Sequence, residues 1–149
     1  MFNLFKNTLK TYKPLSEYPE SWSILKEDNQ GLIVRINVGY KDAVGHPDYP
    51  IKIGIAIPVK NEHDESVATL KNSIEDAISE ILGNGEKGNL VAIITGLKDP
   101  KFMEFLSYAK NNLDFATIHK TLKEKFSNEE VQMYANGDPK WSQYQSFLK

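Results

Sequence analysis

IKIGIAIPV, residues 51–59, decides the fold. Successive side chains of an extended strand point to opposite faces, so Ile51, Ile53, Ile55, Ile57 and Val59 share one side. Lys52, Gly54, Ala56 and Pro58 share the other. The first set is a core face. The second is almost bare of side chains, so something can approach its backbone closely. A further segment of this chain is the expected occupant, with a ligand or partner as the alternative. Downstream, Val67, Leu70, Ile74, Ala77, Ile78, Ile81 and Leu82 recur at helical spacing and predict a helix over residues 65–82. Asp64 or Ser66 can cap its start, Glu65 suits the positive end of its dipole, and Gly83 and Gly85 stop it. NLVAIIT, residues 89–95, is a continuous apolar run between glycines and reads as a buried strand.

KFMEFLSYA, residues 101–109, fits a helix through Phe102, Phe105, Leu106 and Ala109 and a strand through simple alternation. The hairpin-like Gly96-Leu97-Lys98-Asp99-Pro100 before it favours the strand. Phe115, Ile118, Leu122 and Phe126 predict a second helix capped by Asp114. Val131, Met133 and Ala135 alternate before Asn136-Gly137-Asp138-Pro139, and Trp141, Tyr144, Phe147 and Leu148 predict a short closing helix. Upstream, WSILKED (22–28) and GLIVRINV (31–38) flank Asn29-Gln30-Gly31 and read as a hairpin. Residues 39–50, GYKDAVGHPDYP, hold two glycines and two prolines and read as an irregular loop.

In MFNLFKNTLKTYKP, Phe2, Phe5, Leu9 and Tyr12 form a short amphipathic stripe ended by Pro14. The segment lacks the apolar core of a secretory signal. It is expected to fold back on its own domain, with a membrane surface or a partner as alternatives. The order is therefore β-β, then β-α-β-β-α-β, then a helix. The predicted fold is α+β: a ferredoxin-like split β-α-β sandwich whose mainly antiparallel sheet is extended by an N-terminal hairpin. Residues 1–149 read as a single domain, with residues 1–14 as an amphipathic N-terminal segment.

Composition narrows the chemistry. Hydrophobic residues make up 40% of the 149, enough for a core, and no apolar run approaches the ~20 residues of a membrane-spanning helix. The absence of cysteine excludes disulfides, thiolate metal sites and cysteine nucleophiles. Basic residues number 18 against 20 acidic, and Arg35 is the lone arginine, so no phosphate-binding face is expected and nucleic acid is not an expected partner. Lack of a signal and of cysteine together point to the cytoplasm; membrane binding is not expected.

Several residues carry a resemblance. Trp22 on the first strand, Pro50 opening the isoleucine strand, Ile74-Glu75-Asp76, Ile94-Thr95-Gly96 and Phe105 to Tyr108 keep a recognisable order. The most specific stretch is Asp138-Pro-Lys-Trp141-Ser-Gln-Tyr144-Gln-Ser-Phe147-Leu148. Over residues 20–148 the chain resembles the bacterial DUF695 family, a domain of unknown function. The resemblance implies an α+β ferredoxin-like domain and a strand at residues 101–109. It also implies an analogy with regulators that bind and restrain ribonuclease E, which such domains resemble or sit beside; fold alone does not transmit function.

No catalytic set is recognisable. His46-Pro47-Asp48 and His63-Asp64 lack helical ligand spacing, so no metal is expected, and His119 reads as a packed histidine. Glu75-Asp76 reads as a solvated helix face. Gly83-Asn-Gly85-Glu-Lys-Gly88 follows a helix and precedes a strand, the reverse of a phosphate loop. No cofactor is expected. Trp141, Tyr144 and Phe147 read as a terminal staple with polar tips at the rim. The long 39–50 loop is the expected contact region, with Tyr40, Asp42, His46, Asp48 and Tyr49 as partner-binding candidates. The expected function is a non-catalytic, cytoplasmic protein-binding module: a regulator or inhibitor of a nuclease, or an immunity-type protein against a bacterial toxin. Glu62, Asp64 and Glu65 with Asp42 and Asp48 are expected to supply its acidic surface. The alternative is an enzyme or small-ligand protein built around His46, Asp48 and His63.

Overall fold

The computed structural model describes residues 11–27, 31–60 and 64–149. The amphipathic stripe from Phe2 to Leu9, Glu62 and His63 therefore lie outside the described residues. The strands are β1 (Trp22–Glu27), β2 (Leu32–Asn37), β3 (Ile51–Pro58), β4 (Gly88–Gly96), β5 (Phe102–Ala109) and β6 (Gln132–Gly137). The helices are α1 (Asp64–Ile81), α2 (Phe115–Lys125) and α3 (Ser142–Phe147). All strands join one sheet in the order β1-β2-β4-β5-β3-β6, and every neighbouring pair is antiparallel. The N-terminal hairpin extends the sheet through β2 against β4. The architecture is α+β, and residues 101–109 resolve as a strand.

The isoleucine strand behaves as its alternation demands. Ile53, Ile55 and Ile57 are buried with Ile74, Ala77 and Ile78 of α1 and Leu122 of α2, so both longer helices cover the same face. Asp114 caps α2 by accepting from Thr117 N at 3.1 Å. The bare side of β3 is filled from within: a Cβ at Gly54 would collide with the Tyr134 ring of the adjacent β6, and Lys52 lies 5.7 Å from that ring's centre. A bulge in β4 between Leu90 and Ala92 turns Leu90 and Ile93 toward the helices and Val91 and Ile94 to the opposite face. Its continuous apolar run therefore serves two cores.

The face away from α1 and α2 is also covered, by rings. Tyr40, Tyr49, Tyr108, Trp141 and Tyr144 are buried there with Leu15 and Tyr18. Residues 39–50 are more regular than expected, because Val38–Ala43 forms a 3-10 helix. Asn37 explains it: its side-chain oxygen accepts from Gly39 N and Ser21 N, capping the turn and tying it to the start of β1.

The closing segment forms a clasp. Asp138 accepts from Tyr108 Oη at 2.7 Å, Ser142 N at 2.9 Å and Gln143 N at 3.2 Å. Trp141 stacks on Tyr108 with centroids 4.3 Å apart, and its indole N–H donates to Tyr49 O at 2.9 Å. Tyr144 donates to Asn37 O at 2.7 Å. The polar tips of the staple are therefore satisfied by buried main chain rather than at the rim. Trp141 has φ 56, the left-handed region that bulky residues avoid, and its fully buried ring holds it there.

Candidate functional site

The five candidates in the 39–50 loop divide. Asp42 and Asp48 are exposed, whereas Tyr40, His46 and Tyr49 are turned into the fold. His46 Nε2 lies 2.8 Å from Lys13 O, and its Nδ1 accepts from Asp48 N at 3.2 Å. A ring that accepts at Nδ1 donates at Nε2, so both nitrogens are committed to main chain and neither is free for proton transfer. Its ring lies between Tyr12, 4.9 Å away, and Tyr49, 4.8 Å away. The arrangement anchors the entering chain: Tyr12 also donates to Val44 O at 2.8 Å, and Tyr49 to Glu86 O at 3.1 Å. His119 is likewise engaged, 2.9 Å from Val131 O. Among the described residues no group of His, Asp and Glu could hold a metal ion.

Of the residues expected to form an acidic surface, Asp48 and Glu65 are not brought together. Asp48 lines a recess with Gly83 to Glu86, just beyond the C-terminal end of α1, whereas Glu65 lies in the first turn of that 18-residue helix. At 1.5 Å per residue the two ends are about 25 Å apart. Glu62 lies outside the described residues.

A different constellation forms at the mouth of a cleft of about 500 Å³. Arg35 projects from β2 toward α1, where its Nη1 meets Glu75 Oε1 at 3.4 Å; Lys71 Nζ meets the other Glu75 oxygen at 3.1 Å. The guanidinium lies 4.7 Å from the centre of the Trp22 ring on β1, and the Trp22 indole N–H donates to Glu20 at 2.9 Å. Glu75 is thus a half-buried bridge between strand and helix, not the solvated carboxylate its sequence position suggests. Asp76 and Ser79 of α1, with Asn84 and Asn89 beyond it, complete one wall, and Tyr18, Asn37 and Tyr40 another. Asn89 Nδ2 donates to the Tyr40 hydroxyl. Burial, only partly offset by that bond and reinforced by the Glu20 charge, pushes the Tyr40 phenol up to about 12.

The cleft adjoins a second recess, of about 440 Å³, that holds Tyr12, Lys13, His46, Asp48, Tyr49 and Lys110. Ser16 and Asn84 line both. One end of the molecule therefore presents two open, polar hollows side by side, floored by aromatic rings. Tyr40 reaches the first, and His46, Asp48 and Tyr49 reach the second. Arg35, Trp22, Glu75 and Glu20 were not singled out as a unit from sequence, though a lone arginine in a half-buried strand was the available signal.

Residues 20–149 match the family model of DUF695, a family of unknown function. The chain belongs to the DUF695 family. The structure supplies a physical reason for the DUF695-like terminus noted above: Asp138, Trp141 and Tyr144 lock the C-terminal helix onto β5 and the 3-10 helix. No curated protein matches the chain. Among the described residues of this DUF695 domain, no helix is long and apolar enough to cross a membrane.

Proposed function

We propose that the chain is a non-catalytic binding module that receives a segment of another protein at the paired hollows. The observation behind this reading is the Arg35 group: a cation stacked on Trp22, braced by Glu75 and open to solvent at the cleft mouth, ringed by Glu20 and Asp76. Stacked, half-exposed arginine and tryptophan are the residue types that dominate protein interfaces. The committed nitrogens of His46 weigh against the enzymatic alternative. Restraint of a nuclease, or neutralisation of a toxin, in the cytoplasm remains the role proposed for such a module. The ferredoxin-like description of the β-α-β-β-α-β block belongs to the same proposal, supported by its β4-β5-β3-β6 order.

Glu20→Lys with Asp76→Lys tests it, since both side chains are exposed and neither packs in the core. A protein captured by the native chain should bind the variant at least tenfold more weakly in calorimetry with the purified pair. Equal affinity refutes the cleft as the contact. The cleft volume favours one second reading, a small polar ligand, because small-molecule sites span roughly 300–1,000 Å³. A compound that raises the melting temperature of the native chain but not of Arg35→Ala would support it.

A further inference from the structure

Asn37 ends β2 on a wall of the cleft, and its side chain is locked by what it already holds. Its Oδ1 accepts from Ser21 N at 2.9 Å and from Gly39 N at 3.0 Å. Two main-chain donors on that oxygen fix the orientation of the amide, because the reversed amide would aim N–H at N–H. Asn37 is only 3% exposed, yet among the described residues its Nδ2 has no acceptor. Buried amides ordinarily find a partner. The nitrogen is the polar group that Asn37 has left to offer the cleft.

Two residues earlier on β2, and so on the same face, Arg35 is also underused. Its contact with Glu75, at 3.4 Å, is long for a charge-assisted bond and engages one of five N–H donors. Lys71 holds the other Glu75 oxygen at 3.1 Å, so Arg35 can turn to a ligand without stranding that carboxylate. Trp22, whose ring steadies the guanidinium, is the cross-strand partner of Asn37, so all three share one patch. Tyr40, on the same wall as Asn37, accepts from Asn89 Nδ2. The Asn89 oxygen is taken by Leu90 N, so the phenol keeps its own proton to donate.

We propose that the cleft grips a carboxylate of the incoming segment, with Arg35 forked on its two oxygens and the Asn37 amide donating to it. This rests on the cleft reading and names what the cleft takes. The planar fork of a guanidinium matches a carboxylate, whereas a neutral amide offers one acceptor and no charge. Glu20, Asp76 and Glu75 stand against Arg35 and Lys71 around the site, so a bare anion is opposed. The carboxylate therefore comes flanked by cations, which meet the exposed Glu20 and Asp76. A phosphate, with nearly twice the charge, is opposed more strongly by the same acids.

Nitrogen-15 NMR of the full chain reads this through the Trp22 indole, the Arg35 Nε–H and the Asn37 side-chain amide. The probes are amide-capped lysyl-aspartyl-lysine, its asparagine counterpart, and lysyl-lysine with a free terminal carboxylate. The aspartyl peptide should shift all three signals with saturation in the millimolar range, and the asparagine peptide should bind at least tenfold more weakly. Tighter binding of the free-ended peptide would assign the carboxylate to a chain end, and equally supports the proposal. Asn37→Asp keeps an oxygen for both main-chain donors and removes the amide N–H. Arg35→Lys, at a partly exposed side chain, keeps the charge and removes the fork, and serves should Asn37→Asp fail to fold. Each should weaken the aspartyl peptide at least fivefold. Equal binding of the aspartyl and asparagine peptides, native affinity in Arg35→Lys, or no saturable shift with any probe overturns the proposal. The cleft reading itself falls only if Glu20→Lys with Asp76→Lys leaves the affinity of the captured protein unchanged.

Discussion

Under α1 and α2 the sheet is covered by aliphatic side chains at regular spacing, Ile53, Ile55, Ile74, Ile78 and Leu122 among them. On the opposite face it is covered by Tyr40, Tyr49, Tyr108, Trp141 and Tyr144, brought in by a 3-10 turn, a loop and a six-residue helix. The aliphatic face needs only volume and period, because isoleucine and leucine side chains carry no polar atoms. The aromatic face needs a hydrogen-bond partner for each ring tip, since an unpaired buried hydroxyl or indole N–H is costly. Its partners come from far along the chain: Trp141 reaches Tyr49 across 92 residues and Tyr144 reaches Asn37 across 107. A non-local polar network is thus stitched onto one side of a locally patterned sheet.

Alkali should separate the faces most strongly. Burial raises the phenols of Tyr40, Tyr49, Tyr108, Tyr134 and Tyr144 above their usual value of 10.0; Asp138 adds to the effect at Tyr108 and Glu104 at Tyr134. A group whose folded pKa is raised contributes stability that is complete below its unfolded pKa. That stability is lost as pH climbs through the folded value. Between pH 10 and 12 the unfolded chain releases protons that the folded chain retains, at about 1.4 kcal/mol per pH unit for each phenol. The protein should therefore unfold in this window, and Tyr40→Phe should shift the midpoint upward. Alkaline titration followed by tryptophan fluorescence measures it; a fold intact at pH 12 would mean that the rings are not enclosed.

Truncation gives the next largest contrast. Trp141→Ala should cost about 3–5 kcal/mol by urea denaturation, from lost ring packing together with an orphaned Tyr49 carbonyl. Ile74→Ala, equally buried but without polar consequences, should fall toward the lower part of the 2–5 kcal/mol range for aliphatic truncation. Equal losses would mean that the indole hydrogen bond adds nothing to packing.

The same contrast governs what was legible in the sequence. Period 2 at Ile51 to Val59 and the helical stripe from Val67 to Leu82 report burial directly, because the residues that share a face are near in sequence. The order of elements along the chain and the helix-covered face followed from them. The hollows did not. Arg35 and Glu75 are 40 residues apart, and only the β2–α1 packing brings them together, so Glu75 beside Asp76 looked like surface. Tyr40 and Tyr49 stood out for their loop position, yet loop residues are not always exposed: the Asn37 cap folds this loop inward. The closing Asp138-Trp141-Tyr144 pattern was legible as a signature before its physical basis was, since its partners lie on β5, in the 39–50 loop and at the end of β2.

A smaller test addresses one bond of that network. Tyr144→Phe keeps the ring and removes the donor to Asn37 O, leaving a buried carbonyl unpaired. The expected loss is about 1–2 kcal/mol, with the near-ultraviolet circular dichroism unchanged. A loss below about 0.5 kcal/mol would show that another donor reaches that oxygen.

The smallest effect has the opposite sign and lies on the aliphatic face. Ser107 of β5 is fully buried, and among the described residues its hydroxyl has no hydrogen-bond partner. It borders a void of about 10 Å³ lined otherwise by Ile53, Ile55, Ile78, Ile81, Leu82, Ile118 and Leu122. A trapped water does not remedy this, since it needs two to four polar partners and the side chains of this wall offer one. The hydroxyl is therefore a place where the aliphatic face carries the polar burden of the other without its network. Ser107→Ala removes that burden at almost no loss of volume and should stabilise the protein by about 1 kcal/mol. A destabilised variant would show that the hydroxyl is satisfied after all, and that the division between the two faces is less strict than their side chains indicate.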